Sequence, residues 1–226
     1  MKLKHTLLFA LLPLISCNPD STADMKYGPE EITTEPPAIY AEMEQVLEEG
    51  MMQNWYPRCL DTVHGGFLSN FDHRWNQMER QPKFIVTQAR HTWTAAQMFR
   101  WDPGNPLYLE AGRHGFEFLR DRMWDREYGG FFTMTDRRGN PVENEQAGMT
   151  KTAYGNAFAI YGLAAYFGVS RDSAALELAQ KAFRWLESNS HDPVYGGYFQ
   201  FLERDGTPLT EGHRGTPPKD QNSSIH

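Results

Sequence analysis

Three stretches of this chain share one pattern, position by position. They read DTVHGGFLSNFDHRWNQM from Asp61, DREYGGFFTMTDRRGNPV from Asp125 and DPVYGGYFQFLERDGTPL from Asp192. In each copy an aspartate precedes a Gly-Gly pair, and an acidic residue followed by a basic residue comes after it. Those acid–base pairs are Asp72–His73, Asp136–Arg137 and Glu203–Arg204. Because the pattern recurs about every 65 residues, it indicates one supersecondary unit used repeatedly.

The segments between the copies predict what that unit is. Residues 82–100 have a largely apolar body of small residues, and residues 149–167 are apolar nearly all round, which is typical of a helix enclosed by others. Amphipathic patterns predict exposed outer helices over residues 39–55, 105–124 and 173–188. Pro82 and the Asn105–Pro106 pair are the predicted helix starts, and Gly155 and Gly162 are predicted to permit close helix packing.

Each Gly-Gly copy has the composition of a short β-hairpin that joins an outer helix to the next inner helix. Glycine permits backbone conformations that other residues avoid, and the residues that follow each pair form strands and then turns. Such hairpins should all emerge at one end of the helices and border one cavity. A closed ring of six units would need about 390 residues. We therefore expect residues 39–226 to form about the first three units, with KDQNSSIH at the start of another inner helix.

Residues 1–17 differ from the rest of the chain. A basic start and a short apolar stretch predict a signal peptide, and the sequence LISC, which ends at Cys17, resembles a bacterial lipobox. This predicts lipidation of Cys17, export, and attachment to a membrane through the lipid alone; a plain secretory signal or a chance apolar terminus are the alternatives. Residues 18–38 are polar and rich in proline, which is typical of a flexible tether.

The net charge limits the classes of partner, and the cysteine content limits the kinds of site that the sequence predicts. The formal net charge of -7 argues against a nucleic-acid-binding protein, which needs a basic face, and leaves neutral small molecules as easier partners. After removal of the signal peptide, Cys59 is the one cysteine besides Cys17, and it is expected to be a small buried hydrophobe rather than a nucleophile. The sequence predicts neither a metal site nor a cofactor.

Three segments carry a resemblance to a known family. TQARHTWTAAQMFR from Thr87, KTAYGNAFAIYGLAAYF from Lys151 and KDQNSSIH from Lys219, with the repeated Gly-Gly hairpins, resemble the N-acylglucosamine 2-epimerase family, which includes cellobiose 2-epimerases and mannose isomerases. The resemblance implies an all-α fold, an (α/α)6 barrel, and an isomerase of mono- or disaccharides that works through an enediolate with histidine acid/base groups. The two principal histidines of the family belong to the second half of the barrel, and no residue here can be matched to them. The active site is therefore expected to be incomplete in these residues.

The resemblance assigns roles to five residues. Arg90 is expected to stabilise negative charge on a sugar oxygen, although a structural ion pair with a carboxylate is the alternative. Trp93 can stack on a sugar or belong to the core, and Tyr154 can donate to a sugar hydroxyl or be a core tyrosine. Asn222 and His226 would share one helix face and line the sugar site. His91, adjacent to Arg90, points elsewhere on the helix and is expected to be structural or exposed.

Two other functions stay open. A glycan-binding or vestigial lipoprotein would use the cavity without chemistry. A glycoside hydrolase or lyase on the same type of barrel needs opposed carboxylates, and residues 83–100 and 149–167 contain no Asp or Glu. The exposed faces of a partial barrel are also expected to associate, so a homodimer is one arrangement that could complete the cavity.

Overall fold

The structure, a computed structural model, describes residues 38–142 and 150–219. Cys17, Asn222 and His226 lie outside these ranges, as does nearly all of the predicted signal peptide and tether. The chain divides into two compact units, Met1–Glu42 and Met43–His226. The described residues of the first unit, 38–42, are helical, and the second unit contains every other element and side chain discussed below.

The described elements are predominantly helical, and outer and inner helices alternate as predicted. The first outer helix is α1 (Ala38–Gln45), continued by π-helical turns (Val46–Met52) and by α2 (Gln53–Trp55). The inner helices are α3 (Ile85–Trp101) and α5 (Ala153–Ser170). The other outer helices are α4 (Pro106–Phe118), which continues as π-helical turns (Leu119–Met123), and α6 (Ser173–Asn189).

The two inner helices pack closely against each other, and α4 and α6 cover their outer sides. A Cβ atom on Gly162 of α5 would lie 2.6 Å from the carbonyl oxygen of Ala89 on α3, so the approach of the two backbones requires glycine there. This confirms the predicted packing role of Gly162. The main core forms around this crossing and includes Ile85, Phe116, Phe131, Phe158 and Leu163.

One predicted helix start is confirmed and the other is wrong. The Asn105 side chain accepts a hydrogen bond from the backbone N–H of Leu107 at 3.1 Å, and Pro106 begins α4. Pro82, in contrast, precedes a two-residue strand, and α3 begins only at Ile85. The chain stays extended there because the Ile85 N–H donates to the Thr133 carbonyl, 3.0 Å away, in the next Gly-Gly copy.

Short strands connect the second and third hairpins to the preceding unit. Strand β1 (Lys83–Phe84) pairs antiparallel with β2 (Met134–Thr135), and β3 (Lys151–Thr152) pairs antiparallel with β4 (Phe201–Leu202). In register, Lys83 lies opposite Thr135 and Lys151 lies opposite Leu202. Because β1 and β3 lead directly into α3 and α5, the paired hairpins lie at the end where the inner helices begin.

The Gly-Gly pair allows the hairpin backbone to press against neighbouring side chains. Gly65 and Gly66 have φ angles of 81° and 67°, in the left-handed region. A Cβ atom on Gly66 would lie 2.6 Å from Gln88 Oε1 and 2.7 Å from the Phe118 ring. Any other residue at Gly66 would therefore push the hairpin away from the first inner helix.

Candidate functional site

The aspartate of the first Gly-Gly copy is a buried anchor for two cations. Asp61 accepts hydrogen bonds from Lys83 Nζ at 3.0 Å and from Arg137 Nε at 2.9 Å. Its other contacts are the backbone N–H groups of Val63 and His64, both at 3.2 Å. Burial alone would raise the pKa of Asp61, but the hydrogen bonds from Arg137 and Lys83 outweigh it and hold the pKa well below its usual range.

The second copy repeats this arrangement with different residues. Asp125 accepts from Lys151 Nζ at 2.9 Å and from Arg204 Nε at 3.1 Å. In both copies the lysine precedes the inner helix of the same unit, whereas the arginine comes from the following hairpin. Each aspartate therefore joins three elements. The aspartate before one Gly-Gly pair and the arginine of the next copy form one connection between successive units.

The third copy shows the first half of this connection. Asp192 pairs with Lys219 and accepts the backbone N–H of Val194 at 2.8 Å. The hydrogen bond from Lys219 lowers the pKa of Asp192 to about 2. Lys219 Nζ also donates to the Gly196 carbonyl at 2.9 Å, as Lys83 and Lys151 do to the first glycine of their own copies.

Five residues after the anchor lysine, a polar side chain on each inner helix forms hydrogen bonds with a hairpin backbone. Gln88 accepts the Phe67 N–H at 2.7 Å and donates to the Phe67 carbonyl at 2.9 Å. Asn156 accepts the N–H of Phe131, the equivalent residue in the second copy, at 2.8 Å. Both side chains are buried, so they serve the frame of the site and do not face a ligand.

A different set of side chains covers the exposed face shared by α3 and α5. The Arg90 guanidinium lies 4.7 Å from the centre of the Phe158 ring. Trp93 stacks on Tyr161 with ring centres 5.4 Å apart and planes at 19°, and Tyr154 meets Phe158 edge to face at 4.8 Å. Arg90 is exposed and Tyr161 is 50% exposed, so this inner face offers a cation and an aromatic platform together.

Arg90 has no carboxylate partner in the part of the chain that the structure describes. Within those residues the structural ion-pair alternative for Arg90 is therefore not realised. The guanidinium is exposed beside the Phe158 ring. A ligand oxygen in front of the inner face could accept from them.

His91 shows the contrasting environment on the same helix. Its ring stacks between Trp55, at 5.3 Å, and Phe67, at 4.8 Å, and Nδ1 accepts from Trp55 Nε1 at 3.2 Å. Burial lowers the pKa of His91 to about 4, so the imidazole is neutral at neutral pH. His91 is a structural residue, which confirms that it points away from the face of Arg90.

Cys59 also belongs to the core. Its side chain is fully buried next to Phe67, and burial raises the pKa of its thiol to about 12. A thiol that stays protonated is a poor nucleophile, so the prediction of a small buried hydrophobe is confirmed.

In residues 38–142 and 150–219, no group of three or more His, Cys, Asp and Glu side chains is placed to hold a metal ion. None of the helices in that part of the chain is long and apolar enough to span a membrane.

Comparison with known proteins agrees with this geometry. The family described as N-acylglucosamine 2-epimerase matches residues 65–218. The chain belongs to the N-acylglucosamine 2-epimerase family. A cellobiose 2-epimerase from Bacteroides fragilis is 29% identical over 170 residues, which is 75% of this chain and 42% of that protein. A D-mannose isomerase from Marinomonas mediterranea is 25% identical over 180 residues, which is 79% of this chain and 41% of that protein.

Solved structures of the family confirm the fold. The structure of cellobiose 2-epimerase from Spirochaeta thermophila superimposes with a TM-score of 0.71 at 35% identity, covering 82% of this chain and 45% of that chain. The helices described here are thus part of an (α/α)6 barrel. The chain spans less than half the length of these epimerase-family relatives, as the count of three units predicts.

In this epimerase-family chain two predicted site residues, Arg90 and His226, share a sequence register with Phe158, which was predicted to be a core residue. Arg90, Phe158 and His226 follow Lys83, Lys151 and Lys219, respectively, at the same interval along the sequence. Arg90 and Phe158 meet on the inner face. Of the five residues proposed for the sugar site, the structure brings together Arg90, Trp93 and Tyr154, while Asn222 and His226 lie outside the described residues. Tyr161 was missed, because an aromatic residue on an almost wholly apolar helix carries no sign of exposure in its sequence.

Proposed function

We propose that this protein acts on carbohydrates as a sugar 2-epimerase or aldose–ketose isomerase, with a mono- or disaccharide as substrate. The observation that carries the proposal is the exposed Arg90 guanidinium beside the Trp93–Tyr161 stack, on the inner face of a barrel of this family. Aromatic faces suit the C–H faces of a sugar ring, and a guanidinium suits its oxygens.

The reaction begins from an opened sugar. A base removes the proton from the carbon next to the carbonyl group, and the electron pair moves onto the carbonyl oxygen to give an enediolate. An acid returns a proton to the opposite face of the same carbon, which is epimerisation, or to the neighbouring carbon, which is isomerisation. Epimerisation requires acid/base groups on opposite faces of that carbon, whereas isomerisation can transfer the proton along one face.

Within this scheme Arg90 stabilises the developing negative charge. Its guanidinium lies over Phe158, and it has no carboxylate partner in the described ranges to neutralise it. A preorganised cation of this kind contributes more to the transition state than to the ground state. Tyr154 donates to a hydroxyl group, Trp93 stacks on the ring, Asn222 orients hydroxyl groups, and His226 moves a proton.

Glycan binding without catalysis is a second candidate function, and a separate observation favours it. The partly or fully exposed residues described on the inner face, Arg90, Trp93, Tyr154 and Tyr161, include no histidine or carboxylate that could exchange a proton near neutral pH. A glycan-binding protein without catalysis would need only such a face. A glycoside hydrolase is disfavoured further, because residues 83–100 and 149–167 carry no Asp or Glu at all.

Hydrogen–deuterium exchange at sugar C2, followed by NMR in D₂O with cellobiose or mannose, separates these functions. We expect exchange by the form of the protein that has a complete cavity, and Arg90→Ala should lower its rate about 100-fold. Arg100→Ala, an exposed arginine on the same helix, is the matched control and should leave the rate unchanged. Sugar binding without exchange would favour the glycan-binding function, and neither binding nor exchange would contradict both proposals.

We further propose that the protein is exported and held on a membrane by lipid on Cys17. The support is the LISC sequence that follows an apolar stretch. Metabolic labelling with a fatty-acid probe in a bacterial host should mark the chain, and Cys17→Ala should abolish the label. Cys59→Ala is the control and should keep it, whereas equal labelling of the Cys17→Ala variant would contradict the lipobox.

A further inference from the structure

Phe158 contacts two of the side chains that the proposed reaction assigns to the sugar. The Arg90 guanidinium carbon lies 4.7 Å from the centre of the Phe158 ring. The Tyr154 ring meets the same ring edge to face, with ring centres 4.8 Å apart and planes at 71°. One aromatic side chain therefore contacts a residue on α3 and a residue one turn earlier on its own helix, α5.

Phe158 is buried, whereas the cation beside it is exposed. Phe158 is 7% exposed and belongs to the main core, so packing fixes its ring and a ligand on the inner face meets Arg90 first. No carboxylate in the described ranges pairs with Arg90. The ring face therefore supplies the electrostatic contact that orients the guanidinium.

The close approach of α3 and α5 sets where the ring meets the guanidinium. A Cβ atom on Gly155 would lie 2.6 Å from the Ile85 side chain. One on Gly162 would lie 2.6 Å from the carbonyl oxygen of the residue before Arg90. These two contacts lie one turn before and one turn after Phe158 on α5, so the backbones are held together on both sides of the ring.

The repeat places a cation and a ring at equivalent positions of adjacent inner helices. Arg90 follows Lys83 by seven residues, and Phe158 follows Lys151 by seven residues. Two arginines at these positions would repel each other, and two phenylalanines would leave no cation for a sugar oxygen. The difference between the two units therefore creates a complementary pair.

We propose that Phe158 is a positioning residue for the reaction. Its buried ring holds the Arg90 guanidinium and the Tyr154 ring in the orientations in which both reach one sugar, and Phe158 itself does not touch the substrate. This role rests on the proposed function, which assigns Arg90 and Tyr154 to the substrate. Because orientation of reacting groups contributes more to the transition state than to binding, loss of the ring should lower turnover more than affinity.

Phe158→Leu, in the form of the protein that has a complete cavity, tests this role. The rate of hydrogen–deuterium exchange at C2 of saturating cellobiose or mannose should fall about tenfold, and the KM should stay within about threefold. Phe158→Tyr keeps an aromatic face under the guanidinium and should retain the rate within about threefold.

Phe116→Leu is the matched control. Phe116 is 1% exposed, its ring centre lies 5.0 Å from the Arg120 guanidinium, and it stacks on Tyr166 with ring centres 5.4 Å apart. It thus has the same kinds of partner, but on the outer helix α4. Phe116→Leu removes a similar amount of core packing and should leave the exchange rate within about twofold.

A double-mutant cycle shows whether Phe158 acts through Arg90. In the Arg90→Ala background the guanidinium that the ring orients is gone. Adding Phe158→Leu there should lower the rate further by no more than about threefold, which is the part that acts through Tyr154.

Proton NMR of the Arg90 side chain tests the contact without any activity. Ring-current shielding by Phe158 should move the Arg90 Hδ and Hε resonances upfield, and Phe158→Leu should abolish this shift. Equal losses of rate in Phe158→Leu and Phe116→Leu, a full tenfold loss in the Arg90→Ala background, or Arg90 resonances that do not move would each overturn the role of Phe158 in an active protein. A wild-type protein that shows the shift but no exchange would contradict the proposed reaction itself, and with it any role of Phe158 in turnover.

Discussion

The hairpin anchors, which are the Asp–Lys pairs Asp61–Lys83, Asp125–Lys151 and Asp192–Lys219, keep their residues from one repeat to the next. The inner face belongs to the same repeat, but its residues change. At the anchors all three copies carry aspartate and lysine at one register, and the contacts are the same wherever the partners are described. At the α3–α5 face the position seven residues after the anchor lysine differs between the described units, with Arg90 in one and Phe158 in the next. Where the repeat keeps its residues it joins units together, and where it changes them it creates an asymmetric surface.

The charged side chains of the two regions also differ in burial. Asp61 and Lys83 have fully buried side chains, so each depends on the other for compensation. Arg90 keeps contact with solvent. We therefore expect substitutions at the anchors to lower the free energy of unfolding strongly. Substitutions on the inner face should change mainly the affinity for a ligand.

The largest effect is expected from Asp125→Ala. This change leaves Lys151 buried without its carboxylate, which should lower the free energy of unfolding by about 3–5 kcal/mol. Urea unfolding followed by circular dichroism measures it. Glu177→Ala, which removes the same charge from an exposed position on α6, is the control and should cost less than about 0.5 kcal/mol. Similar values for the two variants would show that the anchors do not hold the units together.

A smaller effect is expected from pH, through His91. Its pKa is about 4 in the folded protein, below the ordinary value of 6.5, so the unfolded chain binds the proton more tightly. Its contribution to stability is present above pH 6.5 and is lost as the pH falls toward 4, by up to about 3 kcal/mol. Unfolding free energies measured across this window should decline less steeply in His91→Gln. An unchanged slope in that variant would mean that other groups cause the decline.

The smallest effect on stability is expected from Arg90→Ala. The substitution removes a contact with the Phe158 ring, so the free energy of unfolding should fall by less than about 1 kcal/mol. Thermal unfolding of this variant beside Arg100→Ala provides the comparison. A loss as large as that of Asp125→Ala would place Arg90 in the frame and remove the distinction between the two regions.

Local features of the sequence predicted much of this fold. The alternation of outer and inner helices, the Asn105 cap and the hairpins at the Gly-Gly pairs follow from periodicity and backbone preference, which act over a few residues. Arg90 was singled out because a cation on an apolar helix needs a reason to be there. Three segments, from Thr87, Lys151 and Lys219, together with the repeated Gly-Gly hairpins, were enough to indicate the epimerase family.

The partners of the repeated charges were decided only by the tertiary structure. The sequence shows Asp61 and Arg137 in different copies of the pattern, and nothing local links two residues that are 76 positions apart. They meet because β2 of the second hairpin pairs with β1 ahead of the first inner helix, which brings the arginine over the buried aspartate. Because of the same strand pairing, α3 begins at Ile85 and not at the predicted Pro82. Periodicity reports which face of an element is buried, but the choice of partner depends on how whole units pack against each other.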